Sequence, residues 1–91
     1  KLPVIYTGGP TWESYNALKG AAALGLDGLH SVESIANAAG ITKDQAIQVL
    51  RVMRANMLFR MRRIRGTLYY GINMLGRDLL AKCNRHIERC S

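Results

Sequence analysis

Phe59-Arg60-Met61-Arg62-Arg63-Ile64-Arg65-Gly66-Thr67 interleaves basic and apolar side chains and meets a glycine near its end. With Leu58 before it and Leu68-Tyr69-Tyr70-Gly71-Ile72 after it, the stretch reads as two β-like runs joined at Arg65-Gly66. A turn at those two residues pairs Phe59 with Ile72, Met61 with Tyr70 and Arg63 with Leu68. Arg60, Arg62, Ile64, Thr67 and Tyr69 then share the opposite face. Apolar residues on one side and basic residues on the other are what a half-buried hairpin needs.

Upstream of the hairpin the spacing turns helical. Ser31 predicts the N-cap of a short helix whose buried face is Val32, Ile35, Ala36 and Ala39, and Gly40 is placed to end it in the left-handed conformation. Thr42-Lys43-Asp44-Gln45 has the form of a capping box, which satisfies two orphan backbone donors reciprocally. It opens a third helix to about Ala55 with Ala46, Val49, Leu50 and Met53 turned inward, and Asn56 is expected to take the positive φ at its end. Ahead of these, Thr11 predicts the cap of a first helix with Trp12, Tyr15, Leu18 and Ala22 on one face. Gly25-Leu26-Asp27-Gly28 ends that helix, and Leu29-His30 suggests a short strand. Trp12, Tyr15 and Tyr70 are expected in the core, whereas Tyr69 is left open between exposure and contact with a ligand. After the hairpin, residues from about Met74 to Arg89 predict a last helix with Leu80, Cys83, Ile87 and Cys90 at a/d spacing.

A chain of 91 residues supports one domain with a modest core. Residues 1–10 are expected to form an extended arm, 11–73 the helices and hairpin, and 74–91 a terminal helix suited to dimerisation. Charge is segregated: residues 1–42 carry a net −1 and residues 43–91 a net +8. Between Gln45 and Arg77 there are seven arginines and no acidic residue. An anionic partner facing the second half follows from that split. No apolar run approaches the roughly 20 residues that span a bilayer. The first residues, Lys-Leu-Pro-Val-Ile-Tyr, lack an initiator Met and a signal pattern, so the chain reads as a domain cut from a longer one. Two cysteines make no secreted-type disulfide framework, which points to an intracellular setting, in cytoplasm, nucleoid or nucleus.

The order helix, short strand, helix, turn, helix, two-stranded wing, helix resembles the winged helix-turn-helix domain. The resemblance runs over about residues 11–82 and rests on three segments. Residues 31–41 (SVESIANAAGI) resemble the family's second helix and turn, with Ala36 and Gly40 four apart at the helix crossing. Residues 50–58 (LRVMRANML) resemble the end of the recognition helix, with Asn56 where the family commonly has glycine. Residues 70–80 (YGINMLGRDLL) resemble the strand-to-helix passage after the wing in MarR-like and ArsR-like transcriptional regulators. The resemblance implies a mainly α fold with a small β-hairpin that binds duplex DNA, usually as a homodimer. It places the third helix in the major groove and the wing on phosphates or the minor groove. Carried onto this chain, the groove residues are Thr42, Lys43, Asp44, Gln45, Gln48 and Arg51, and the wing residues Arg60, Arg62, Arg63, Arg65 and Thr67.

Two other partners stay open at this stage. Ile47 and Val52 lie outside the inward stripe of the third helix, which suits docking to a protein, and winged helices also bind RNA. No catalytic set is visible: the two histidines have no spaced nucleophile or carboxylate, no Gly-rich phosphate loop precedes a helix, and no cofactor is implied. Cys83, His86 and Cys90 have an inviting order, but the two cysteines stand about 10 Å apart along a helix. That suits a helix-packing role rather than a zinc centre, and it rules out an intrahelical disulfide, while a bond between two subunits stays open.

Overall fold

The computed structural model describes residues 12–90. Its elements run α1 (Trp12–Leu24), β1 (His30–Ser31), α2 (Val32–Ala39), α3 (Lys43–Ala55), β2 (Phe59–Ile64), β3 (Thr67–Ile72) and α4 (Met74–Cys90). The predicted arm over residues 1–10, the Thr11 cap and the side chain of Cys90 lie outside the described residues. What is described is a mainly α fold with a three-stranded antiparallel sheet in the order β1-β3-β2.

Local chemistry sets most of the boundaries. The Ser31 hydroxyl accepts from the Ser34 amide and caps α2, and Gly40 ends that helix at φ 69°. The capping box is complete, with the Gln45 amide donating to Thr42 Oγ1 at 3.1 Å and the Thr42 amide donating to Gln45 Oε1 at 3.0 Å. At the far end of α3 the positive φ falls on Met57 (64°), while Asn56 stays at −95°. The Met57 amide donates to the Arg54 carbonyl and the Leu58 amide to the Met53 carbonyl, the paired bonds of a Schellman ending. That motif needs its left-handed residue one position beyond the cap, so the burden moves from Asn56 to Met57.

The core gathers one stripe from each element: Leu18 from α1, Ile35 from α2, Leu50 and Met53 from α3, Phe59, Tyr70 and Ile72 from the sheet, and Leu79 and Cys83 from α4. Each large apolar side chain removed from water contributes about 1.5–3 kcal/mol. Trp12 departs from expectation. It is 60% exposed at the first residue of α1 and meets Tyr15 edge-on. Ser14 and Ala17, outside the predicted stripe, are buried instead.

α4 is fastened where it starts. The Asn73 side-chain carbonyl accepts from the Gly76 amide at 2.9 Å, and the Asn73 side-chain amide donates to the Met57 carbonyl. The Asn73 backbone amide donates to the Leu58 carbonyl at 3.2 Å. Here α4 passes the link between α3 and β2 so closely that a Cβ at Gly76 would lie 2.2 Å from the Leu58 carbonyl oxygen. The a/d stripe predicted to join two chains lies against its own core: Cys83 is fully buried, and Leu80 and Ile87 pack half-buried on the same cluster. Cys83 therefore has no route to a second subunit, and burial pushes its thiol pKa up.

Candidate nucleic-acid interface

α3 turns its inward stripe of Ala46, Leu50 and Met53 to the core, and the opposite side carries the predicted groove residues. Thr42, Lys43, Asp44, Gln45, Gln48 and Arg51 are all exposed. Gln48 and Arg51, three residues apart, sit about 60° apart around the helix, so they present a single outward pair. Ile47 and Val52 do not form a patch. Five residues of helix separate them by about 140°, which puts them on opposite flanks. Val52 is 49% exposed, but Ile47 is already partly buried.

The hairpin has the register that the turn predicts: Phe59 opposite Ile72, Met61 opposite Tyr70, Arg63 opposite Leu68, and Ile64 opposite Thr67. Arg65 (φ 50°) and Gly66 (φ 81°) both take positive φ, as a two-residue turn matched to the strand twist requires. Arg62, Arg63, Arg65 and Thr67 at the tip are exposed. Arg62 and Arg63 leave opposite faces of β2, so the tip carries cations on both sides and at its end. None of the three tip arginines makes an ion pair among the described residues.

Arg60 differs from them. It sits at the base of the wing, where its guanidinium lies over Gly71 and donates to the Asp27 backbone carbonyl at 2.8 Å. Arg77 from α4 reaches the same loop, with 2.7 Å to Asp27 Oδ1 and 3.1 Å to the Leu26 carbonyl. These two arginines brace the α1–β1 loop against the wing base and the start of α4. β1 lies beside that loop and pairs His30 with Tyr70 and Ser31 with Tyr69. The expected strand thus forms one residue later than Leu29-His30. Tyr69, between Ser31 and Arg62, is half-buried.

The brace was not anticipated. Asp27 stood only as part of a helix-ending turn, and its contacts with Arg60 and Arg77 cross 33 and 50 residues, beyond the reach of local spacing. Asn73 carried a readable signal, an Asn directly before a helical run, which is a favoured N-cap.

The described residues have the winged-helix fold, and solved structures of the same shape are numerous. One is BpsR of Bordetella bronchiseptica, solved to explain how 6-hydroxynicotinic acid regulates its DNA binding (TM-score 0.78, 18% identity, over 93% of this chain and 61% of that one). A MarR-family transcriptional regulator from Silicibacter pomeroyi is similar (TM-score 0.78, 15% identity, over 89% of this chain and 54% of that one). So is a DNA-binding protein from Sulfolobus solfataricus (TM-score 0.73, 16% identity, over 87% of this chain and 79% of that one). This chain thus spans 61% of the length of BpsR and 54% of that of the Silicibacter regulator. No protein-family model matches the sequence, and no curated protein matches it significantly.

Proposed function

We propose that this chain binds duplex DNA sequence-specifically as the DNA-reading part of a transcriptional regulator, working inside the cell. What carries the reading is the joint exposure of Gln48 and Arg51 on the outward side of α3 with Arg62, Arg63 and Arg65 on the adjoining wing, which make no ion pair among the described residues. Gln and Arg are the side chains suited to bidentate contacts with base edges in the major groove, and the wing cations suit phosphates. The similar structures named above include DNA-binding proteins and support the same reading. Docking of a protein through Ile47 and Val52 is disfavoured because the helix separates them.

A homodimer goes with this reading, since two copies set two α3 helices about one DNA turn apart. With Cys83 buried and Leu80 and Ile87 packed partly on the core, Met74 and Leu75 are the exposed large apolar side chains that α4 offers a second copy among the described residues. Sedimentation of the protein carrying Leu75→Asp tests this, and a dimer that persists unchanged rules that surface out.

The deciding experiment for DNA is a titration with duplex DNA at several salt concentrations. Affinity should fall along a log–log slope of about −0.9 per phosphate neutralised. Gln48→Ala and Arg51→Ala should each cost roughly 1–3 kcal/mol on a cognate site and little on unrelated DNA. A slope near zero, or equal binding of duplex RNA, would overturn the proposal.

A further inference from the structure

The second half of α4 carries a basic surface that the α3–wing face does not use. Lys82, Arg85 and Arg89, spaced three and four residues apart, share one exposed side of the helix. Together with His86 they line an open groove of about 260 Å³. None of the three makes an ion pair among the described residues. Asp78 and Glu88 flank the row without being among the residues that line the groove. Like charges held one turn apart on a helix oppose its folding, so the row is relieved when an anion settles on it.

Its position separates it from the first face. α4 begins at Met74 beside the wing base, and the groove residues lie about 12–22 Å further along the helix axis. α1 packs against both α3 and α4, which barely touch each other. Each turns its buried stripe to the shared core, so their outward sides look away in different directions. A straight duplex seated on α3 and the wing therefore leaves the α4 groove uncovered. The groove spans about 10 Å from Lys82 to Arg89, a distance over which duplex DNA presents about six phosphate charges.

We propose that the Lys82–Arg85–Arg89 groove is a second phosphate-binding surface that takes the backbone of another duplex segment, so that one chain joins two stretches of DNA. This rests on the DNA-binding reading above, and one assay separates the two. Beads carrying one duplex are mixed with protein and with a labelled second duplex of unrelated sequence, and protein and label on the beads are both measured. The unaltered protein should retain the labelled duplex. Lys82→Ala, Arg85→Ala and Arg89→Ala together, all acceptable in an exposed helix, should leave protein on the beads within about twofold while retained label falls at least about fivefold. Arg62→Ala, Arg63→Ala and Arg65→Ala together should lower both. Protein that never reaches the beads overturns the DNA-binding reading itself. Protein that reaches them without retaining label overturns this inference alone. So does an α4 variant that bridges as well as the unaltered protein, or one that loses bead occupancy as steeply as label.

Discussion

The tip and the base of the wing are built from the same side chain and use it in opposite ways. At the tip Arg62, Arg63 and Arg65 project from both faces of a hairpin and from its turn, with no counter-charge among the described residues. At the base Arg60, joined by Arg77, donates to the loop at Leu26 and Asp27 across a long stretch of sequence. A guanidinium that has already found a carbonyl is a structural tie. One that has not is available to phosphate. Counting arginines therefore does not by itself measure a candidate binding surface, because some of them are engaged within the fold.

Four changes test that contrast. The largest effect belongs to the base. Gly76→Ala puts a methyl group against the Leu58 backbone carbonyl, where α4 passes the link between α3 and β2, and should cost roughly 3 kcal/mol. For a domain of this size that lowers Tm by roughly 15 °C in a calorimetric scan. An unchanged Tm would mean that the base tolerates displacement.

Next comes the tip. Changing Arg62, Arg63 and Arg65 together to Ala should weaken all duplexes about alike, by about 2 kcal/mol. The salt slope should flatten by up to about 2.7 if each meets one phosphate. Tm should move little, because exposed unpaired cations contribute almost nothing to folding. A variant with the original slope would remove the tip from the interface.

Arg60→Ala should behave in the reverse sense. Loss of its bond to the Asp27 carbonyl should destabilise the fold by about 0.5–1 kcal/mol in denaturant titrations, with the salt slope of DNA binding preserved. If the slope flattens as it does for a tip arginine, base and tip are not distinct. The smallest change is Asp27→Asn. It removes the ion pair to Arg77, but that pair is exposed and leaves the Arg60 bond to the backbone untouched. No shift in Tm beyond measurement error is expected.

Much of this molecule can be read from local sequence, and the unread parts share one cause. The hairpin register followed from a two-residue turn and alternation, and the capping box from residues three apart, because both are written within a few residues. The site residues on α3 were placed on the outward side by the same periodicity that buried Ala46, Leu50 and Met53. Periodicity names a face but not its neighbour. Hence the stripe through Leu80, Cys83 and Ile87 suits helix packing and part of a dimer face alike, and only the structure shows it against its own core, just as Trp12 shares the spacing of the inward face yet stands exposed at the first turn of its helix. The positive φ at Met57 was assigned to Asn56 because composition favours Asn there, whereas the hydrogen bonds that end the helix choose the position. The commitment of Arg60 depended on a carbonyl 33 residues away.

The capping box at the start of α3 has a further consequence for the two glutamines beside it. Gln45 holds its side chain on the Thr42 amide, so its rotamer is settled when the helix forms. Gln48 points outward and keeps its rotational freedom until something engages it. Immobilising a rotamer-rich side chain of this kind costs about 1–2 kcal/mol. For Gln45 that entropy is lost on folding, so any contact made by its free N–H groups reaches affinity undiminished. For Gln48 the loss falls on binding, and a poorly matched partner leaves it uncompensated. The first glutamine is thus a rigid donor of fixed direction, and the second responds to the quality of the fit.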